Sequence, residues 1–234
     1  LSWVELAKRS AAIKAVELIR EGYVIGIGSG STVSYAIAEL ARRVKEEGLK
    51  VVLVPTSYQA EYLAIQNNLP LTSLNEHPNL DLSIDSSDQV DMNLNLIKGG
   101  GAALTREKIV DSSAKKLVII VDERKLTSRL GRNQHVPIEV LPFGLKTTIK
   151  KIENIGGKPV LREAEGKVGP VITDNGNFIV DVDFGEIEDP LELNTRLKII
   201  PGVIETGLFL NMADVVYIGK RDGTVSVIEK GGKR

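Results

Sequence analysis

Apolar residues recur along the chain in two alternating rhythms. From Trp3 to Arg20, Val4, Ala7, Ala11, Val16 and Ile19 fall at helical spacing, and Glu21-Gly22 closes the segment. YVIGIG follows as a short continuous apolar run, the mark of a buried strand, and GSGSTVSYAIAELARRVKEEG reads as a glycine-rich turn entering a helix. KVVLVPTS and YQAEYLAIQNN repeat the strand-helix alternation. LDLSID then predicts a strand, GAALTREKIVDSSA a helix and KKLVIIVD a strongly apolar strand. Strands alternating with helices predict a mostly parallel sheet covered by helices.

The rhythm changes near Gly131. VPIEVLP, GLKTTIKKIENIG, PVLREA, NFIVDVDF, PLELNTRLKIIPG and VIETGLFL read as strand, helix, strand, strand, helix, strand, with TDNGN turning between the middle strands. ADVVYIGKRDGTVSVIE supplies two more short strands that return to the first sheet. The predicted fold is α/β: a mostly parallel-sheet, Rossmann-like main domain over residues 1–130 and 207–234. An α+β split-βαβ, ferredoxin-like domain is inserted over residues 131–206.

Charge and composition narrow the partners. Thirty basic and 31 acidic residues leave a net charge of −1, with no basic arm or stripe for nucleic acid. The absence of cysteine removes disulfides, thiolate chemistry and thiolate-bound metal, and fits an intracellular protein. No apolar run reaches the roughly 18 residues of a membrane span. His77 and His135, the two histidines, have no metal-ligand spacing.

The loops hold the candidate chemistry. In GIGSGST, the backbone around Gly30 with Ser29, Ser31 and Thr32 suits a phosphate or other anion at a helix start, or forms a structural turn. A dinucleotide fingerprint fails, since the sixth position from Gly26 is Ser31 and the next strand ends without an acid. In DSSDQVD, Asp85 and Asp88 flank Ser86 and Ser87 at a strand end. There they either meet sugar hydroxyls and exchange protons, or form a polar turn, with Asp91 leading out of the loop. KGGGAALTREK brings Lys98, Gly99, Gly100 and Gly101 before Glu107, which is either a rigidly held base or part of a charged helix face. Lys125 in VDERK is a phosphate or hydroxyl contact or a solvated cation.

GIGSGST, VPTSYQA, DSSDQVD, KGGGAALTREK, KKLVIIVDERK, GPVITDNGN and IPGVIETGLF, in that order, resemble the type A ribose-5-phosphate isomerase family over nearly the whole chain. The resemblance implies interconversion of ribose 5-phosphate and ribulose 5-phosphate through an enediolate, with no metal and no organic cofactor. It assigns Glu107 as general base, Asp85 and Asp88 to ring opening or hydroxyl proton exchange, and Lys98 with Gly99–Gly101 to the substrate loop. Lys125 becomes a further substrate contact, and Ser29, Gly30, Ser31 and Thr32 the phosphate loop. A homodimer or homotetramer is expected, in the cytoplasm, with pentose phosphate as the partner and neither nucleic acid nor membrane. The family's acid loop commonly reads Asp-Gly-Ala-Asp-Glu, whereas this chain has Ser86, Ser87 and Gln89, changes expected to perturb loop geometry or acid strength. A noncatalytic sugar-phosphate sensor and a glutamate-dependent CoA transferase are the alternatives.

Overall fold

The structure, a computed structural model, describes residues 2–231. In chain order, α1 (Trp3–Val16), β1 (Val24–Ile27), α2 (Ser31–Glu47), β2 (Val52–Pro55), α3 (Tyr58–Gln66) and β3 (Leu82–Ser86) come first. Two short strands, β4 (Gln89–Val90) and β5 (Leu96–Ile97), precede α4 (Leu104–Ser112) and β6 (Leu117–Asp122). Then come β7 (Val136–Val140), α5 (Leu145–Asn154), β8 (Lys158–Leu161), β9 (Phe178–Asp183), α6 (Pro190–Lys198) and β10 (Val203–Thr206). The last strands are β11 (Leu208–Phe209), β12 (Val215–Gly219) and β13 (Val225–Glu229).

The first compact unit takes residues up to Ser87, Arg106–Lys125 and Met212 onward. Its six-stranded sheet runs β13-β12-β6-β3-β1-β2, parallel throughout except for β13, which pairs antiparallel with β12. Every residue of β6 is buried, as a central strand covered on both faces requires. Ile25 and Ile27 of β1 join Ala11, Ala15, Val33, Ile37 and Ala60 in one apolar cluster, so α1, α2 and α3 cover one face. Val24, Val54 and Leu80 pack with Val110 of α4 in another. α1 ends at Val16 rather than Arg20, because Leu18 and Ile19 donate to Ala15 and Val16 carbonyls in tighter turns; Ile19 stays buried.

The second unit takes Asp88–Thr105 and Leu126–Asn211. Its larger sheet runs β10-β7-β9-β8 with all pairs antiparallel, and α5 and α6 make the crossovers, the split-βαβ plan. A second sheet of three short strands, β11-β5-β4, belongs to the same unit. Its presence moves the division away from the expected 131 and 206. Ile97 and Leu208 share an apolar cluster with Val136, Ile138 and Val180, which draws residues 88–105 and 207–211 to this unit. The segment VIETGLFL, one strand by its apolar pattern, splits at Gly207 into β10 and β11.

Candidate functional site

In the first unit, the chain leaves β1 for β2 on one side and then crosses to β3 on the other. Loops at the carboxyl ends of β1 and β3 therefore border a topological switch point, the place where open α/β sheets bind ligands. Two of the loops expected to carry the chemistry, GIGSGST and the start of DSSDQVD, emerge there. Asp85 is fully buried near the end of β3, and its Oδ1 accepts from the amides of Ser29 (3.3 Å) and Ser86 (2.6 Å). A β-carbon on Gly28 would fall on the Asp85 carboxylate, so only glycine lets β1 run this close. The acid loop and the anion loop are thus one packed assembly.

Ser29 is buried, with its Oγ 2.9 Å from Thr56 Oγ1 and 2.6 Å from Ser57 Oγ. Gly30, at φ 95°, turns the chain into α2, and its amide donates to Gln59 Oε1 (2.9 Å). The first turn of α2 has no acidic residue and no side-chain cap, so its positive end keeps an affinity for anions. Ser31 is exposed there and Thr32 buried. Lys8 of α1 donates from Nζ to Ser31 Oγ at 2.9 Å, adding a cation beside the loop.

α4 carries Glu107. Ser83 Oγ, near the start of β3, donates to Asp111 Oδ1 at 2.7 Å. Glu107 lies one turn earlier, toward the carboxyl end of β3 where Asp85 sits. The neighbouring Arg106 guanidinium stacks 4.8 Å from the centroid of Tyr58, at the start of α3 on that same edge. Glu107 is only 5% exposed, which sets it apart from a charged solvent face. Lys125 ends a 3-10 turn, Glu123–Lys125, immediately after β6, and is half-buried. At the end of β6 burial pushes the Asp122 carboxyl up, but the Arg124 side chain and amide, with the charges of Arg124 and Lys125, together outweigh it and hold the group below its usual value.

The second unit carries the other candidates. Lys98 is 1% exposed; its amide donates to the Gly207 carbonyl, and its ammonium lies 5.3 Å from the Phe209 ring centroid. Asp88 Oδ2 accepts from the Gly100 amide at 2.7 Å, which joins the acid loop to the glycines after Lys98. Gly99 sits at φ 106°, while Gly101 is exposed. Asp91 serves the backbone instead. Its carboxylate accepts from the amides of Asn93 and Asn95 and from Asn95 Nδ2, closing the turn between β4 and β5.

The unusual acid-loop residues each have a local reason. Ser86 is an ordinary extended residue of β3, and neither it nor Ser87 is among the residues with positive φ, so no glycine-specific conformation is needed. The Ser86 hydroxyl donates to the Ser29 carbonyl at 3.2 Å and reinforces the anion loop. Gln89 accepts from the Gly131 amide (2.8 Å) and donates to the Arg132 carbonyl (2.9 Å), a pairing that uses both halves of an amide.

Lys8, Thr56, Ser57 and Gln59 are site neighbours that sequence reading missed. Lys8 looks like any polar position of an amphipathic helix, but VPTSYQA did stand out as a block, a signal for the other three. Among the described residues, no group of three histidine, cysteine, aspartate or glutamate side chains is placed to hold a metal ion. No helix among them is long and apolar enough to cross a membrane.

The sequence model of ribose 5-phosphate isomerase A (phosphoriboisomerase A) matches residues 52–223. Ribose-5-phosphate isomerase A of Methanosarcina acetivorans is 53% identical over 223 residues, covering 95% of this chain and 94% of the relative. A solved D-ribose-5-phosphate isomerase in complex with phospho-erythronic acid superposes with a TM-score of 0.94 at 47% identity, covering 97% of this chain and 99% of that one. Ribose 5-phosphate isomerase A from Methanocaldococcus jannaschii gives a TM-score of 0.92 at 43% identity, covering 96% and 98%. Matches that span both units, and the loops described above, place the chain in the ribose 5-phosphate isomerase A family, the enzymes that interconvert ribose 5-phosphate and ribulose 5-phosphate.

Proposed function

We propose that Glu107 is the base of this isomerisation. Starting from the open-chain aldose, its carboxylate takes the proton from C2, the electrons move into a C1–C2 double bond, and an enediolate forms. Returning the proton to C1, with transfer of the hydroxyl proton from O2 to O1, completes the ketose. Lys98 supplies positive charge to the developing oxyanion. Asp85 and Asp88 accept from sugar hydroxyls and exchange their protons. Ser29, Gly30, Ser31 and Thr32 hold the phosphate by backbone amides, hydroxyls and the positive end of α2, and Ser86, Ser87, the Gly99–Gly101 backbone and Lys125 complete the substrate contacts.

The observation that carries this reading is the burial of Glu107 on the first turns of α4, on the same edge of the first unit as Asp85 and the Ser29 loop. Supporting chemistry comes from the matched structure's ligand: phospho-erythronic acid joins a phosphate to a carboxylate, whose paired oxygens resemble those of an enediolate. No metal or organic cofactor has a part in these steps. With isomerisation established by kinship, the sensor and acyl-transfer alternatives give way to it.

The test is Glu107→Gln, which keeps the shape and removes the basic oxygen. Turnover of ribose 5-phosphate is expected to fall by about 10²–10⁴-fold, while calorimetric titration still shows ribose 5-phosphate binding. Parental turnover by a folded Glu107→Gln protein would remove the assignment. The chain is further read as a homodimer or homotetramer in the cytoplasm. Phe143, 98% exposed, and Ile199, 74% exposed, are large apolar groups of the second unit that subunit contact would cover. Light scattering of the eluted protein measures the assembly directly.

A further inference from the structure

We propose that Arg162 and Glu139 are positioning residues of the reaction, gripping the two ends of the segment Gly99–Thr105 that leads from Lys98 into Glu107. The inference rests on the roles given above to Lys98 and Glu107. It concerns one buried and one partly buried charged group that those roles do not use.

Arg162 follows β8, and Asp181 faces it from β9. The guanidinium donates from Nε to Asp181 Oδ2 (2.7 Å) and from Nη2 to Oδ1 (2.5 Å), a two-point contact that fixes its plane. Its remaining nitrogen, Nη1, donates to the carbonyls of Gly99 and Gly100, both at 3.0 Å. Three consecutive glycines have no side chains with which to hold their own conformation. The peptide between Gly99 and Gly100 is therefore held on both edges: its carbonyl by Arg162, its N–H by Asp88 Oδ2. Arg162 thereby sets the direction in which an acid of the substrate loop is anchored.

Glu139 lies in β7, one residue from its end, with no exposed surface. Its Oε1 accepts from Thr173 Oγ1 (2.8 Å), Asn177 Nδ2 (2.8 Å) and Asn175 Nδ2 (3.0 Å), and its Oε2 accepts from Thr105 Oγ1 at 2.5 Å. Three neutral donors on one oxygen hold the carboxylate still and aim the other at Thr105. Thr105 is in the first turn of α4, two residues before Glu107. A rigid strand thus fixes the start of the helix that carries the base. Burying a charge is unfavourable unless it is fully hydrogen-bonded, and here the buried Glu139 and the partly buried Arg162 both end on the same seven-residue segment.

The test uses the full chain and four variants. Arg162→Ala is expected to lower kcat by roughly a hundredfold, the scale of an ångström-sized misplacement of reacting groups, with KM little changed and the protein still folded at the assay temperature, although losing the partner of Asp181 lowers its thermal midpoint. Added guanidinium at millimolar concentration should restore part of kcat, and Arg162→Lys should not, because an ammonium cannot reproduce the fork. Thr105→Val should also lose kcat, and Thr105→Ser should keep it. Arg162→Ala that is folded and turns over at the parental rate would overturn the proposal. If Arg162→Ala does not fold, the threonine pair decides, and equal rates for Thr105→Val and Thr105→Ser would overturn it. Glu107→Gln runs alongside: an active Glu107→Gln protein refutes the base, whereas an inactive one beside a parental-rate Arg162→Ala refutes the positioning role alone.

Discussion

A single β-carbon separates Gly28 from any other residue. Alanine there would drive its methyl group into the Asp85 carboxylate, which is pinned by two amides and cannot swing away without losing them. Gly28→Ala is expected to cost about 1–3 kcal/mol of stability and to lower kcat/KM for ribose 5-phosphate more than that loss explains. Urea unfolding and steady-state kinetics on the same preparation check both; parental values of each would contradict the close packing. At this scale the candidate acids were legible in the sequence, because aspartates at a strand end and a glutamate after glycines are local features. Lys8, Arg162 and Glu139 were not. Each reaches its contact with the site loops across at least 23 residues of chain, and nothing beside them in sequence distinguishes them from ordinary charged positions.

Among the elements, Gly207 is where one apolar run becomes two strands. Its amide donates to the Pro137 carbonyl (2.7 Å) and its carbonyl accepts from the Lys98 amide (2.9 Å), so the residue is shared by the sheet of β7 and the sheet of β5. A β-carbon would meet the Lys98 carbonyl and Pro137. Gly207→Ala is expected to destabilise the protein by about 1–3 kcal/mol and to raise KM through Lys98, read from denaturant midpoints and substrate saturation curves. Unchanged values would show that the joint tolerates a side chain. The strands and helices of both larger sheets were readable because their apolar runs span four or more residues with consistent period. β4, β5 and β11 were not, since two-residue strands have no period, and their pairing depends on partners far away in sequence. That small sheet is what redrew the division between the units.

Across the full chain, charge also acts far from the chemistry, in an ion pair at the amino ends of the central strands β3 and β6. Asp81 Oδ1 accepts from Lys115 (2.8 Å) and Oδ2 from the Val24 amide (3.0 Å), and these contacts, Lys115 first, hold the Asp81 carboxyl below its usual value. A carboxyl lowered by folding stabilises the protein above its unfolded value of about 4 and loses that contribution as pH falls through the lower folded value. Asp81→Asn should therefore be less stable than the parent at neutral pH, by about 1 kcal/mol or less, and the gap should close in acid while turnover stays parental. A gap that is constant or widens on acidification, measured by urea unfolding across pH, would contradict the pairing. That one glutamate moves a carbon-bound proton without a metal can be examined by isomerisation in deuterium oxide after exhaustive chelation, followed by proton NMR. The parent is expected to convert ribose 5-phosphate with deuterium entering C1 of the product. Glu107→Gln, folded and still binding the sugar phosphate, should show both conversion and exchange slowed by about a hundredfold or more. Parental exchange in Glu107→Gln, or conversion by the parent that stops on chelation and returns with one added metal, would contradict it.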